Sequence, residues 1–516
     1  MALTWRERAW EELSRRSFDL LVIGGGIIGA GVAHEAARAG LAVALVDRAD
    51  FGSQTTSASS KLIHGGLRYL RLGDVRLVRE AHRERRALMR VVAPHLVRPL
   101  SFLLPLYRDG PYRALTVRAG LSVYSGLAGE RLARAVNPEA ARGRVPPLRL
   151  DGLRSCAVYA DAVTHDGRLC LANVRAAADA GATVANYADV VALRTSRGRV
   201  AGAEVRDALG DETAVVRART VVNATGPWVD HVRRLEDANA PRSSRLSKGV
   251  HVLLPLEATW SAALTVPHDA VRVSFAVPWE GLLLLGTTET PFDENPDALR
   301  VTEEDVQAVL AEAAVALDGA LLRADAVRAT FAGLRVLPNV RGEPATARRE
   351  TILVRGRGGM LSIAGGKLTT YRRIALNVLT ALRAELGLHR VETRPVALPG
   401  AGDPDSVAAL LARRHPELEP RAREHLAHLY GGLADDVVAA AGGDPARLAP
   451  LAPGAPDLTA QAVYAREHEW ACTAADVLVR RTTVAYRGEA TREVAERVEK
   501  LLGSPRVQGR DAPARR

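Results

Sequence analysis

The feature that most constrains the fold of this 516-residue chain is an apolar strand that runs directly into a glycine turn. Residues 18–23 (FDLLVI) have no polar face, which is typical of a strand buried on both sides. Gly24, Gly26 and Gly29 follow at the spacing G-x-G-x-x-G, where a helix is expected to begin. Gly24 allows the tight turn, Gly26 lets a pyrophosphate approach the backbone, and Gly29 lets the helix pack close to the strand.

The residues after the glycines complete a nucleotide-binding pattern. Residues 30–39 are rich in helix formers, Gly40 is a plausible C-cap, and residues 41–46 form a second apolar strand that ends on Asp47. An acidic residue at this distance accepts hydrogen bonds from an adenosine ribose. The stretch therefore predicts a dinucleotide site, and the adjacent Arg48 is interpreted as a solvated surface side chain.

A strand of similar character recurs after an insertion of more than a hundred residues. Residues 220–223 form an apolar strand that runs into Ala224, Thr225 and Gly226. Residues 360–371 (MLSIAGGKLTTY) again read as a strand, a Gly-Gly turn and a helix start. A domain that binds NAD is usually continuous, so a nucleotide-binding domain split in this way favours FAD.

Composition narrows the class of protein. The chain is 47% hydrophobic and 25% charged, as in soluble globular proteins, and its length predicts two to four domains. The net charge of +11 favours anionic partners such as phosphate esters or acidic lipids, and no nucleic-acid motif is present. Three widely spaced cysteines argue against a disulfide framework and a thiolate metal site, so no metal and a cytoplasmic location are expected. No secretory signal and no run of eighteen apolar residues occurs.

The segment 68–118 carries twelve arginines against four acidic residues. Within it, residues 75–92 place Val75, Val78, Ala81, Leu88 and Val91 at helical spacing, with arginines on the other faces. Two interpretations remain open at this point, a basic amphipathic surface for anionic lipid and a solvated basic helix packed on the domain. Beyond residue 400 the composition shifts to helix formers, which predicts a separate helical domain over 400–503 and a disordered tail over 504–516.

With these motifs located, the chain resembles the FAD-dependent glycerol-3-phosphate dehydrogenase family of the aerobic type. The motifs that carry the resemblance are GGGIIGAG (24–31), TTSASSKLIHGGLRYL (55–70), NATGPW (223–228), KGVH (248–251), GLRVLP (333–338), GGKLTTYR (365–372) and EHEWACTAADVLVRRT (467–482). The second motif is more specific than the glycine pattern, which many flavoproteins share. Two departures are small: Asp47 stands where the family commonly has Glu, and Val250 lies inside the K-G-x-H element.

The resemblance implies a mixed α/β fold with a discontinuous FAD-binding domain of the glutathione reductase type. We expect that domain over 18–98, 150–245 and 330–390, and a substrate domain with an antiparallel sheet over 99–149 and 246–329. The implied reaction is oxidation of sn-glycerol 3-phosphate to dihydroxyacetone phosphate, with hydride moving from C2 to the flavin N5. Electrons then pass to a membrane quinone at the inner face of the cytoplasmic membrane. Two alternatives stay open, an oxidase that reduces O2 to hydrogen peroxide and a redox-inert FAD-binding protein, as does a homodimer.

The chemistry of this substrate selects the candidate catalytic and substrate-binding residues. Arginine suits the phosphate because its planar fork makes bidentate bonds, and Arg335 and Arg348 are the choices, with Arg349 as the ambiguity. Arg68 and Tyr69 follow the Gly-Gly turn and are expected to face the substrate. His64 is favoured narrowly over His251 as the base that takes the C2 hydroxyl proton. Lys367, or the amides of residues 366–369, is expected to stabilise negative charge on the flavin.

The same motifs assign a set of residues to the cofactor. They are Gly24, Gly26, Gly29, Asp47, Ser57, Ser59, Ser60, Lys61, His64, Gly65, Ala224, Gly226, Trp228, Gly333, Gly366, Lys367, Leu368 and Thr369.

Overall fold

The structure, a computed structural model, describes residues 4–66, 74–129, 134–269, 272–339 and 351–503. The described α-helices are α1 (Trp5–Arg15), α2 (Ile27–Ala37), α3 (Val75–Ala87), α4 (Ala114–Ala128), α5 (Pro138–Arg142), α6 (Asp166–Asp179), α7 (Val229–Glu236), α8 (Glu303–Ala313), α9 (Tyr371–Ala381), α10 (Pro404–Arg414), α11 (Pro420–Tyr430), α12 (Ala434–Ala439), α13 (Ala460–His468) and α14 (Arg492–Leu502). The described strands are β1 (Ser17–Ile23), β2 (Val43–Val46), β3 (Leu62–Ile63), β4 (Val97–Tyr107), β5 (Arg134–Val136), β6 (Leu153–Thr164), β7 (Thr183–Ala185), β8 (Ala188–Ser196), β9 (Arg199–Asp207), β10 (Thr213–Asn223), β11 (Ser244–Pro255), β12 (Ala263–Pro267), β13 (Val273–Trp279), β14 (Leu282–Gly286), β15 (Thr290–Phe292), β16 (Ala329–Pro338), β17 (Ile352–Arg355) and β18 (Leu361–Ala364).

Eight of the described strands form a first sheet in the order β17–β18–β10–β1–β2–β7, which a β8–β9 hairpin extends from β10. The five strands from β18 to β7 in this order are parallel. Helices α2, α6 and α9 cover one face, and α1 with the β8–β9 hairpin covers the other. Strand β1 is therefore buried on both faces over residues 20–23, which explains the apolar run there and confirms the predicted α/β class. The carboxyl ends of β1, β10 and β18 meet at one edge of the sheet.

Ten of the described strands form a second sheet in the order β15–β11–β14–β13–β12–β4–β6–β3, with β16 paired to β11 and β5 to β6. Its neighbouring strands are antiparallel except for β12 and β4. Helices α3 and α4 pack on one face of this sheet and α8 packs on the other. This arrangement confirms the antiparallel character expected for the second sheet.

The division of the chain between the two sheets differs from the predicted boundaries. Strand β6 falls in the segment 150–245 and β16 in the segment 330–390, both predicted for the FAD-binding domain. Both belong to the second sheet, because β6 pairs with β4 along its length and β16 pairs with β11 over ten residues. Such long-range pairing leaves no local trace in one sequence, so the sheets group these two strands differently from the predicted domains.

The segment 404–502 forms the helical domain that the composition predicted, with two apolar cores among α10–α14. It is tied to the first sheet through Asp50, which is 1% exposed and forms ion pairs with Arg480 and Arg481. Arg480 also pairs with Asp476 at 2.8 Å. Removing one partner of a buried ion pair costs about 3–5 kcal/mol. These contacts therefore fix the helical domain against the loop that follows Asp47.

The predicted helix over residues 75–92 is present as α3, followed by a π-helical turn over Leu88–Val92. Val78, Ala81 and Leu88 are buried as expected, whereas Val75 and Val91 are exposed. In the part of the chain that the structure describes, no helix combines the length and the apolar character needed to span a membrane.

Candidate active site

A cavity of about 1110 Å³ lies between the two sheets and is lined by residues from both. Sites for drug-sized ligands measure about 300–1,000 Å³, so this cavity has room for a dinucleotide and a small substrate. Its walls contain the glycine turn after β1, the loop of residues 52–60, the turn after β10 and the turn after β18. The three turns meet here because β1, β10 and β18 are parallel and adjacent.

The glycine turn has the geometry that close contact with a pyrophosphate requires. Gly24 has φ +104°, in the region that favours glycine, and a Cβ there would lie 2.6 Å from the Ala224 carbonyl oxygen. A side chain at Gly29 would overlap the Gly24 carbonyl oxygen, so the missing side chain lets α2 pack against the turn as predicted. Gly26 lines the cavity and caps the N-terminus of α2. The turn therefore fits a dinucleotide whose phosphates lie at a helix N-terminus.

Asp47 lies at the end of β2 in the cavity wall. Its carboxylate accepts hydrogen bonds from Gly25 N–H at 2.6 Å and from Ala49 N–H at 2.9 Å. Burial raises the pKa of Asp47 to about 6, although both backbone donors oppose that shift. The carboxylate is held by the backbone in the place where a ribose acceptor was predicted. The neighbouring Arg48 is exposed, pairs with Asp297 and lies over the Trp228 ring at 4.1 Å.

Most residues predicted for the cofactor line this one cavity. They are Gly24, Gly26, Asp47, Ser59, Ser60, His64, Ala224, Gly226, Trp228, Gly333, Gly366, Lys367, Leu368 and Thr369. Lys367 follows the Gly365–Gly366 turn and precedes α9. FAD requires donors such as turn amides and a lysine, together with a carboxylate acceptor, and the residues present fit the group.

Four further residues predicted for the cofactor lie behind the cavity wall. Gly29 packs inside α2, and the Ser57 hydroxyl donates to the Gly52 carbonyl at 2.7 Å. Lys61 has no exposed surface and pairs with Asp166 at 2.7 Å. Gly65 is covered by the side chains of His82 and Tyr124, which leave no space for a Cβ. These residues shape the loops around the cavity and do not line it.

Arg335 and His251 lie on neighbouring strands at the substrate end of the cavity. On β11 and β16, Gly249 pairs with Gly333, Ser247 with Arg335 and His251 with Phe331. Side chains alternate between the faces of a strand, so Gly249, His251, Gly333 and Arg335 share one face, and all four line the cavity. The paired glycines make room for their neighbours, because a Cβ at Gly333 would lie 2.8 Å from the Ala58 carbonyl oxygen and one at Gly249 would meet the Arg335 side chain.

The Arg335 guanidinium is held by the turn after β14. Its Nη2 donates to Thr287 Oγ1 at 2.8 Å and to the Thr288 carbonyl at 2.9 Å. A Cβ at Gly249 would lie 2.6 Å from this nitrogen, so the glycine provides the space that the guanidinium occupies. Arg335 is thus a half-buried cation in the cavity wall, as expected for a phosphate-binding side chain.

His251 is 3% exposed, and its Nε2 lies 2.9 Å from the Ser60 hydroxyl oxygen. Its ring stacks on Phe331 with the ring centroids 4.9 Å apart. Burial, the Arg335 cation and the Lys61 cation hold the pKa of His251 well below its usual value, so the imidazole is neutral. If Nε2–H donates to Ser60, the lone pair of this neutral ring lies on Nδ1.

His64 lies in the turn after β3, where the opposite tautomer is favoured. Its Nδ1 accepts a hydrogen bond from Gly66 N–H at 3.1 Å, and the backbone N–H of His64 donates to Thr369 Oγ1 at 3.1 Å. A neutral His64 in this arrangement carries its proton on Nε2, where it can donate but not accept. The sequence preference for His64 as the base is therefore weakened by its hydrogen bonds.

A buried network that the sequence did not reveal supports the His64 turn. Asp161 on β6 accepts from Gly65 N–H at 3.0 Å, from Arg85 at 2.6 Å and from the Tyr124 hydroxyl at 2.9 Å. Arg85 and Tyr124 belong to α3 and α4. No sequence pattern pointed to this network, because the arginines of segment 68–118 were interpreted as surface residues. Three further predicted substrate residues, Arg68, Tyr69 and Arg348, lie outside the described residues.

The comparisons with known proteins agree with this geometry. Residues 19–372 match the family model of FAD dependent oxidoreductases, and residues 391–506 match that of the C-terminal domain of alpha-glycerophosphate oxidase. Glycerol-3-phosphate dehydrogenase 2 of Mycobacterium tuberculosis is 36% identical, over 96% of this chain and 87% of the relative. The human mitochondrial glycerol-3-phosphate dehydrogenase is 35% identical, over 94% of this chain and 70% of the relative.

Two solved structures share the fold. The glycerol-3-phosphate dehydrogenase from Bacillus halodurans, solved with FAD, superposes with a TM-score of 0.76 at 28% identity, covering 97% of both chains. The L-alpha-glycerophosphate oxidase from Mycoplasma pneumoniae, at 15% identity and a TM-score of 0.57, shares the fold over 74% of this chain. With the FAD-binding turns, the cavity and these relatives in agreement, the chain belongs to the FAD-dependent glycerol-3-phosphate dehydrogenase family.

Proposed function

We propose that the protein oxidises sn-glycerol 3-phosphate to dihydroxyacetone phosphate and passes the electrons to a membrane quinone. The observation that carries this proposal is the placement of Arg335 and His251 on one face of β11 and β16, inside the cavity that contains the glycine turn. One residue matches the phosphate of the substrate and the other matches its secondary alcohol. The names of the relatives point to the same substrate.

Arg335 binds the substrate phosphate in this proposal. The Thr287 and Thr288 oxygens fix its guanidinium, so little side-chain freedom is lost when the phosphate binds. Arg348, Arg68 and Tyr69 stay as further substrate-binding predictions from the sequence. An anchored phosphate holds the C2 carbon at a fixed distance from the proton acceptor, and such positioning is a large part of the rate enhancement.

His251 takes the C2 hydroxyl proton in this proposal, and its Nε2 is bonded to the Ser60 hydroxyl. Two observations support this assignment over His64: the neutral state of the His251 ring, and the bond from Gly66 N–H that occupies His64 Nδ1. His64 Nε2–H then serves as a donor toward the substrate or the cofactor. A neutral imidazole next to two cations does not hold a proton beforehand, but its lowered pKa also makes it a weaker base.

FAD, when bound, supplies the acceptor for the hydride that leaves C2. The turns after β1, β10 and β18 would hold it, with Asp47 as the acceptor for the ribose and Gly26 next to the phosphates. Lys367 and the amides of residues 366–369 line the cavity and would supply donors for negative charge on the group. The loop of residues 52–60 excludes water from one side of the cavity, since Thr55 is bonded to the Leu334 carbonyl at 2.8 Å.

Steady-state assays of the purified holoenzyme test the function. We expect rapid turnover of sn-glycerol 3-phosphate with a quinone analogue, slow turnover with O2, and very weak activity with glycerol, which lacks the phosphate. The match of residues 391–506 to the C-terminal domain of an oxidase is the observation that favours O2 instead. Fast peroxide formation would select that alternative, and a flavin that no polyol phosphate reduces would leave a redox-inert protein.

A basic surface on α3 supports peripheral attachment to the inner face of the cytoplasmic membrane. The exposed cations on this surface are Arg76, Arg79, Arg83 and Arg86 of α3 and Arg90 of the π-helical turn that follows it. Their spacing of three to four residues places them along one side of the helix. A row of cations on one side of a surface helix suits anionic lipid headgroups.

Helix α4 packs beside α3 and supplies an apolar surface next to these cations. Leu115 is 81% exposed and Val123 is 51% exposed, with the exposed Ala119 between them. Other residues of the same helix, Thr116 and Gly120 among them, line the cavity. A helix that contacts lipid on one side and the cavity on the other gives a quinone a short route to the flavin.

Replacing Arg76, Arg79 and Arg83 by glutamine is expected to weaken binding to anionic vesicles. Each arginine near an anionic surface contributes about 1 kcal/mol, so the triple variant should bind about 100-fold more weakly. Sedimentation with phosphatidylglycerol vesicles measures the change. The matched control replaces Arg194, Arg197 and Arg206, which are exposed on the β8–β9 hairpin, by glutamine. Equal loss in both variants would show that net charge alone attracts the lipid and that α3 is not the contact surface.

A further inference from the structure

Lys61 and its neighbours form a buried group outside the catalytic residues described above. The Lys61 ammonium donates to the Ser57 carbonyl at 2.6 Å and pairs with Asp166 at 2.7 Å. Burial alone would lower its pKa, but Asp166 and Tyr486 outweigh that and raise the pKa of Lys61. The Lys61 side chain therefore stays charged beneath the loop of residues 52–60.

The helical domain supplies one wall of this group. Tyr486 is 4% exposed, its hydroxyl donates to the Ser57 carbonyl at 3.3 Å, and it lies 3.4 Å from Lys61 Nζ. Its ring forms an aromatic box around the ammonium with Phe331 and Trp279, whose centroids lie 4.8 Å and 5.3 Å from Nζ. Cations in such boxes are held by the negative faces of the rings.

One path leads from this group to His251 through the backbone. Lys61 has φ +60°, a conformation that costs a non-glycine residue free energy and persists only where surrounding contacts enforce it. The ion pair with Asp166 and the contacts with Tyr486 supply that enforcement. The residue before it is Ser60, whose hydroxyl lies 2.9 Å from His251 Nε2.

A second path leads through the aromatic rings. The Tyr486 ring meets the Phe331 ring edge to face, with centroids 5.9 Å apart. Phe331 in turn stacks on the His251 ring, with the centroids 4.9 Å apart. Both paths begin at one tyrosine of the helical domain and end at the same imidazole.

We propose that Tyr486 is a positioning residue, through which the C-terminal helical domain fixes the orientation of His251 by holding Lys61 and Phe331. This gives the helical domain a role in the reaction beside its packing role at Asp50. The inference rests on the proposed function of His251. The charged groups that face this imidazole are Lys61 from the loop and Arg335 from β16, and neither is supplied by the helical domain itself.

The test replaces Tyr486 by leucine, which removes the ring, and by phenylalanine, which keeps it. Displacing a reacting group by about 1 Å costs about 100-fold in rate, so we expect flavin reduction by sn-glycerol 3-phosphate to slow about 10- to 100-fold in Tyr486→Leu. Tyr486→Phe should stay within about threefold of the wild-type rate. KM should change less than kcat because Arg335 still holds the phosphate.

The matched control is Tyr464→Leu, since Tyr464 is also a buried tyrosine of the helical domain but contacts Tyr430 and His468. We expect it to destabilise the domain and leave the rate of flavin reduction unchanged. Phe331→Leu breaks the aromatic path from the other side and keeps the proposal testable if Tyr486→Leu does not fold. A second readout is the nitrogen-15 signal of the His251 ring in histidine-labelled holoenzyme, assigned by its loss in His251→Gln.

The proposal expects both the rate and the His251 signal to change in Tyr486→Leu and Phe331→Leu, and neither to change in Tyr464→Leu. A normal rate or an unchanged signal in the first two variants would overturn it. If sn-glycerol 3-phosphate does not reduce the wild-type flavin, the proposed function fails. The nitrogen-15 signal still decides the contact in that case, so the two failures are distinguishable.

Discussion

Replacing Arg335 by methionine is expected to lower kcat/KM for sn-glycerol 3-phosphate by about 30- to 5,000-fold. The reason is that a charged hydrogen-bonded partner of a dianionic phosphate contributes about 2–5 kcal/mol when it is truncated. Methionine keeps the length of the side chain and removes its charge and its donors. Steady-state kinetics on variant protein with a normal FAD content measure the effect.

Two controls separate phosphate binding from a structural role for Arg335. Arg335→Lys keeps the charge but loses the planar fork, so its kcat/KM should fall between those of the wild type and the methionine variant. The weak activity with glycerol should be unchanged in all three proteins, because glycerol has no phosphate. If the methionine variant loses activity on glycerol and on the phosphate ester equally, the guanidinium supports the turn after β14 and does not bind the phosphate.

Replacing His251 by glutamine is expected to lower the rate of flavin reduction by about 10²- to 10⁴-fold, the usual contribution of a general base. Glutamine keeps a donor near the Ser60 hydroxyl but cannot take the proton. His64→Gln is the matched comparison, and we expect a smaller loss because His64 accepts from Gly66 N–H at Nδ1. A large loss in His64→Gln with a normal rate in His251→Gln would return the base to His64.

The pH dependence of the wild-type rate also tests whether His251 is the base. Burial, Arg335 and Lys61 lower the pKa of His251, and a base must be neutral to act. At saturating substrate, the rate should therefore stay constant as the pH falls through about 6.5, the ordinary pKa of histidine. It should decline only in more acidic solution. A decline at or above that pH would indicate a different base.

The elements around the nucleotide could be predicted because their signals are local. The strand of residues 18–23, the glycine spacing and the small residues after 223 each follow from steric needs at a single turn. The character of Arg335 was also visible, since a guanidinium inside an apolar strand needs a partner. The pairing of Gly249 with Gly333, which places this arginine beside His251, was not visible from the sequence.

The contacts that the sequence did not predict join residues that are distant along the chain. Asp50 meets Arg481 and Lys61 meets Tyr486 across more than four hundred residues. Lys61 was assigned to the cofactor because it lies in the motif of residues 55–70, the most specific of the chain. That motif contains residues that line the cavity and residues that support it from behind. Patterns identify which segments surround a ligand, but partner choice among buried charges depends on the packing of whole domains.

Anaerobic titration of the purified holoenzyme with sn-glycerol 3-phosphate tests the central claim most directly. We predict that the oxidised flavin absorbance is lost completely and that one dihydroxyacetone phosphate forms for each flavin reduced. The Arg335→Met variant should require far more substrate to reach the same point. A flavin that stays oxidised in the wild type, while dithionite reduces it normally, would contradict the account.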